Sequence, residues 1–511
     1  MKRIPVALMA AVLATSLSAE LPPLTPAQTT NIHQGIARHL DPAGDLYVVA
    51  NLYGLPQELG RRLGALAAAL GEEEPVAATI GPRIADFLTA SGLDGVVGYG
   101  LSSVPRADGL HTVKGFLARQ PEAASKPLWQ AFGGAPAELK GLAYLPRETV
   151  AAYVGRGDLK ALRQLFQLGF QHLGGAAGNQ KFAEMEVFLT NFFGFKIENL
   201  VNAVGAESFI SMQLAGDKEI VLPLPGNKPV SIPAPSLLIG VQTLEAATLT
   251  GALEAAVKKS PVPLARNQLD EAGKLVEFKL PIPPEVVPVS IIYTVHNGTL
   301  LIGTTPETVR QAIEAAEKRN GLLADGDFQK LRAGLPTQVN GLDYIHPRLQ
   351  DLADKLQKAV AEASGDKMQL QLQQALATTP QRQVGVTVHG SNGVAKIVTS
   401  SMGGREMVSQ ITLAPVMMLS AIAIPNFVKA RQQALYAACI NNLRMIEGAK
   451  EQWAMEHNKG GVPTDLDLQR YMPGGVMPRC PDNGTYTIGA VDTAPTCSEH
   501  GGFFNGEDED E

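Results

Sequence analysis

The chain has no basic patch. Its 43 lysines and arginines are outnumbered by 50 aspartates and glutamates, and aromatics, only 5% of the 511 residues, are nowhere interleaved with positive charge. That removes the footprint of nucleic-acid binding, and no nucleic acid is expected as a partner. Also missing are GxSxG, HExxH, GxxxxGK[ST] and the EF-hand loop, so the common hydrolase, zinc-protease, nucleotide and calcium signatures are absent. No catalytic residue, cofactor or metal is assigned, and the reading is of a non-enzyme whose small-molecule ligand, if any, is unknown. Three cysteines allow one disulfide at most. The formal net charge of −7 owes five negative charges to residues 507–511, which leaves a nearly neutral body and a solvated acidic tail.

Long apolar runs are scarce too. Residues 1–19 carry Lys2 and Arg3, an apolar run, and Leu17-Ser18-Ala19 before Glu20, the layout of a signal peptide. The expectation is an exported protein of the periplasm or cell envelope. A second apolar segment runs from Ile411 to Ile424 and contains Pro415. Its length of about 14 residues reaches about 21 Å, short of the roughly 30 Å hydrocarbon core. It is expected to lie at a membrane surface, pack on protein or enter a bundle, with a tilted span as the alternative. Both ends of the mature chain then share one side of the bilayer.

A theme recurs along the body: a proline-containing turn, a short strand, then an amphipathic helix. It starts at Asp41-Pro42, at Leu145-Pro146 and at Leu335-Pro336. Local hairpins are predicted over 95–117, over 290–303 around Asn297-Gly298, and over 383–401. Locally joined strands argue for antiparallel sheets covered by helices, hence an α+β fold of repeated units rather than a doubly wound one. Proline-rich stretches at 222–235 and 281–288 suggest seams, with loops inside one sheet system as the alternative. The predicted organisation is a first lobe over 20–220, a second over 221–402, a C-terminal domain over 403–506 and the tail.

Candidate sites are few. Cys480 and Cys497 flank Pro481-Asp482-Asn483-Gly484 and a strand-like stretch, so a disulfide between them is expected to bracket a hairpin. A zinc site is the alternative; it needs a fourth ligand, and His500 lies near Cys497, but no CxxC pair exists. Cys439 reads as a buried thiol on a helix. The glycine-rich run at 95–100 lacks dinucleotide-binding spacing and reads as a strand entry. His33 and His39 read as solvated, Asp158 in Arg156-Gly157-Asp158 as a helix cap, and Glu72 to Glu74 as an exposed turn. Asp482 and Asn483 offer too few oxygens for calcium.

From Asn426 onward, Leu435, Cys439, Leu443, Ile446 and Trp453 recur at helical steps, and His457 to Gly461 with Pro463 stops the helix. The segment AIAIPNFVKAR, followed by ACINNLR and GAKEQWA, resembles the type IV pilin and type II secretion pseudopilin family over Ala421 to about Gly501. The resemblance implies a long helix on a small β-hairpin or sheet. It also implies partners in a secretion or pilus apparatus, met through a helix face of Phe427, Leu435, Cys439, Leu443, Ile446 and Trp453. In that family the motif is N-terminal; here it follows four hundred residues, and Gly404 and Val408 stand where a phenylalanine and a glutamate are expected. The body over 40–401, through LPRET at 145–149 and NGTLLIGTTPE at 297–307, is similar to a domain-of-unknown-function family of exported bacterial proteins with duplicated domains. The function expected is a non-enzymatic envelope protein associated with such an apparatus. The alternative is an extracytoplasmic hydrolase or ligand-binding protein using a cleft between the lobes.

Overall fold

A computed structural model describes residues 25–502 apart from 71–82, 133, 176, 223, 225–228, 261, 263, 272, 281–289, 365–380, 458–460 and 483. At 66–70, 217, 363–364, 409–434 and 473 it describes no side chains. The expected signal peptide, the acidic stretches at 72–74 and 507–511, Asn483 and the side chain of Phe427 therefore lie outside the described residues. The chain divides into two compact units, with the division between Met407 and Val408.

In the first unit the alternating apolar segments become β1 (Leu46–Asn51), β2 (Val96–Pro105), β3 (His111–Arg119), β4 (Thr149–Arg156), β5 (Val204–Leu222), β6 (Val230–Thr243), β7 (Ala265–Gln268), β8 (Val276–Lys279), β9 (Ser290–His296), β10 (Thr299–Gly303), β11 (Gly341–Ile345), β12 (Gln383–Gly390) and β13 (Gly393–Ser400). They join in one antiparallel sheet, ordered β1-β2-β3-β13-β12-β11-β4-β5-β6-β10-β9-β8-β7. The fold is α+β. The boundary expected at 220 falls inside one ladder, where β5 and β6 pair with each other, Ile220 opposite Ile232; this is the alternative of a single sheet system. Two of the prolines that suggested a seam, Pro233 and Pro235, fall inside β6. Pro235 and Pro233 oppose Leu214 and Glu219, on either side of a register shift. Proline cannot donate to a ladder, and a bulge is where a sheet tolerates it.

The repeated theme is built as expected. β1, β4 and β11 are each followed by a helix: α2 (Leu55–Leu70), α3 (Leu159–Leu173) and α6 (Pro347–Ser364), with α1 (Pro26–Ala37) ahead of the first. Asp158 caps α3, its carboxylate accepting from the Lys160 and Ala161 amides at 2.8 and 3.2 Å. The β9–β10 turn places Asn297 and Gly298 at φ of 46° and 74°, the left-handed pair that a two-residue hairpin demands. The glycine-rich run serves packing. A first side-chain carbon at Gly98 or Gly100 would come within 2.5 Å of Ile36, so the bare strand lets α1 lie against it. His39 stacks on Phe116 at 3.8 Å between ring centres, and burial first, with Arg38 beside it, lowers its pKa; His33 is exposed.

The main core lies on one face of the central strands. Val154, Leu238, Leu301, Leu342, Val384 and Val386 meet Val309 and Ala312 of α5 (Pro306–Lys318), with Phe328 closing the layer. A smaller core sets α4 (Ala246–Lys258) over β8 to β10 through Leu249, Leu253, Phe278 and Tyr293.

The second unit is built on α7 (Gly404–His457), a single 54-residue helix, and on a three-stranded sheet of β14 (Tyr486–Thr487), β15 (Thr496–Cys497) and β16 (Gly501–Gly502). The division between units falls within this helix. Among the described residues no helix is long and apolar enough to cross a membrane; Ile411 to Ile424 falls where no side chains are described.

Candidate metal centre

Cys439, Leu443 and Ile446 recur at steps of four and three, so they lie on one stripe of α7. All three are fully buried. Cys439 and Leu443 meet Cys480 and Cys497, while Ile446 and Ala449 meet Leu468 and Met472, with Trp453 packed alongside. This corrects one expectation. Three residues of the face read as meeting a partner, Cys439, Leu443 and Ile446, belong to the core of their own unit, since apolar side chains this near a sheet are buried intramolecularly first. Leu435 is half-buried above it, and Tyr436, Met445 and Met455 are the exposed large side chains on other faces.

Polar contacts fix the helix in place. Asn442 donates to the Arg479 carbonyl and to the Tyr486 hydroxyl, each at 3.0 Å, and that hydroxyl donates to the Cys439 sulfur at 3.6 Å. Lys450 is fully buried, its ammonium on Glu447 at 2.9 Å and on the Thr493 carbonyl. Paired in this way a buried lysine is tolerated, and it ties α7 to the loop before β15.

Around Cys439 the unit assembles a cluster. One ligand atom from each of Cys439, Cys480, Cys497 and His500 lies within 4.8 Å of all the others. His500 Nδ1 is 3.4 Å from the Cys480 sulfur and 3.8 Å from the Cys497 sulfur. Its other ring nitrogen, Nε2, stands 3.7 Å from the Asp482 carboxylate. The Asp482 amide donates to the Cys480 sulfur at 3.4 Å. Four stretches of chain supply the set: the helix, the loop at 480–484, β15 and the turn after it.

All three cysteines are free, so the disulfide expected between Cys480 and Cys497 is not formed in this structure. The two residues sit where that bond was expected, yet a third sulfur and an imidazole share the space. The thiols are unlike one another. Burial pushes Cys439 up to about 12. Burial also works against ionisation of Cys480, but amide hydrogen bonds from Asp482 and Gly484 outweigh it and bring that thiol down to about 7. Gly484 is needed for the close approach: a first side-chain carbon there would stand 2.6 Å from the Cys497 sulfur.

The sequence offered this set only as the alternative to a disulfide, with His500 named as a possible fourth ligand. Cys497-Ser-Glu-His500 is a C-x-x-H spacing, and Cys439 falls on the inward helix stripe. What could not be read was that the stripe faces the C-x-x-H turn. A cleft of about 820 Å³ lies in the first unit beside β5, β6 and the start of α5. It presents Glu148, Lys218, Glu277, Lys279, Glu307 and Arg310, and among the described residues no histidine, cysteine or tyrosine lines it. It offers charge of both signs, with the hydroxyls of Ser236, Ser290 and Thr304 among them. No family model, curated protein or solved structure matches the chain.

Proposed function

We propose that the protein is a non-enzymatic component of the cell envelope, exported by its N-terminal segment and associated with a type II secretion or type IV pilus-type apparatus. The observation that carries this reading is α7. One uninterrupted helix has its C-terminal part laid on a small sheet, while its earlier part holds the apolar segment from Ile411 to Ile424 and Phe427. That is the arrangement the pilin resemblance implies, an amphipathic half on a sheet and an apolar half for a bundle. Since Cys439, Leu443 and Ile446 are spent on the unit's own core, docking falls to residues 411–434.

The test is cross-linking in the native envelope, with photoreactive residues placed singly at Met418 and Phe427. Adducts with a component of the secretion or pilus apparatus are expected. Recovery of none, with the protein present at its normal level, ends the proposal.

A further inference from the structure

We infer that Cys439, Cys480, Cys497 and His500 form a structural zinc site that clamps the C-terminal helix to its sheet. The inference stands apart from the envelope reading, since it concerns what holds the unit together rather than what the unit meets.

Geometry comes first. A tetrahedral zinc with bonds of about 2.3 Å to sulfur and 2.0–2.1 Å to nitrogen needs ligand atoms about 3.5–3.8 Å apart. The two sulfur–nitrogen distances here are 3.4 and 3.8 Å, and no pair in the set exceeds 4.8 Å. Two of the six edges thus match such a tetrahedron, and the remaining four lie within about 1 Å of it or closer to one another.

Donor chemistry narrows the metal. Three thiolates and one imidazole are a soft donor set, which selects zinc over calcium or magnesium. Surrounding groups match what ligated sulfur and imidazole require. The Asp482 amide and the Tyr486 hydroxyl donate to sulfurs, and the Asp482 carboxylate faces the imidazole nitrogen turned away from the cluster. Glycine at 484 keeps the Cys497 sulfur unobstructed. All four corners are protein atoms, the three cysteines are at most 6% exposed, and no corner is left for a reacting water. The site is therefore structural.

Binding balances simply. Three thiols give up their protons to water, the neutral imidazole keeps its Nε2 proton toward Asp482, and the zinc complex carries one net negative charge. No electrons move. A disulfide between any two of the sulfurs would consume two of the donors, so the metal and the bond exclude each other.

The purified full-length chain, prepared without chelator, is expected to carry one zinc by elemental analysis. Its three thiols should resist a thiol reagent until a chelator is added, and all three should then react. Reduced, metal-free chain given cobalt(II) alone should show thiolate-to-cobalt charge transfer and the visible bands of a tetrahedral ion. Cys439→Ser and His500→Ala should each change that spectrum and lower zinc retention. Absence of metal with three freely reactive thiols overturns the site, as does a chain lighter by the two hydrogens of a disulfide. Zinc that stays bound in both variants with an unchanged cobalt spectrum lies elsewhere and equally overturns it. If a variant fails to fold, the cobalt spectrum of the unaltered chain still decides.

Discussion

Tyr293 shows how much one side chain can contribute through its proton. It is 5% exposed, beneath α4, and its hydroxyl donates to Glu254 at 2.5 Å, while Arg266 reaches the same carboxylate at 3.1 Å. Burial first, and then the bond to Glu254, push its pKa up to about 12. A tyrosine whose pKa rises on folding stabilises the fold while protonated. Its contribution is complete below the ordinary value of about 10 and is lost as pH rises from about 10 to about 12. The size is on the order of 2 kcal/mol. Tyr293→Phe should therefore flatten the fall in stability across that window, measured by urea unfolding at pH 9, 10 and 11. An unaltered slope would mean that the phenol ionises as freely in the folded chain as in the unfolded one. Nothing in the sequence around Ser290–His296 distinguishes this tyrosine from a neighbour pointing to solvent. Its environment comes from Glu254 and Arg266, on a helix and a strand tens of residues upstream.

Among the elements, α7 divides what a sequence can tell from what it cannot. The steps between Leu435, Cys439, Leu443, Ile446 and Trp453 gave a helix and its apolar face correctly, because a 3.6-residue period is a local property. What the face meets is not local. Periodicity marks a surface that must be covered, and the covering turned out to be Leu468, Met472 and the two C-terminal cysteines rather than another chain. The consequence is measurable. Leu443→Ala should lower the stability of the second unit by about 2–5 kcal/mol, as for a large side chain removed from a core. The two tryptophans make this readable, since Trp129 belongs to the first unit and Trp453 to the second. In a Trp129→Phe background, fluorescence follows the second unit alone. A docking face would instead leave that transition where it was.

For the whole molecule, the hairpins and the turn–strand–helix repeats could be read in advance, but the order of the sheet could not. Each hairpin is closed by residues adjacent in sequence, such as Asn297-Gly298, whose chemistry is visible in the sequence itself. The stitching is done by ladders between distant segments: β13 against β3, with Ile397 opposite Lys114, and β11 against β4, with Leu342 opposite Val154. Strands β11 to β13 thus stand between β3 and β4, and the C-terminal third of the first unit completes the sheet begun by its N-terminal third. Proline content at 222–235 argued for a boundary because proline interrupts ladders, and here the interruption is absorbed by a bulge within one pair of strands. This topology makes a strong claim about cutting the chain. Residues 20–220 alone would leave β3 and β4 as open edges and expose the face that Leu342, Val384 and Val386 bury, so this fragment should aggregate or unfold without a cooperative transition. Residues 20–407 keep every ladder of the sheet, and that fragment should unfold cooperatively, with Trp129 as reporter. Cooperative unfolding of 20–220 by itself would mean that the strands inserted between β3 and β4 are dispensable, and the sheet would have to be redrawn as two.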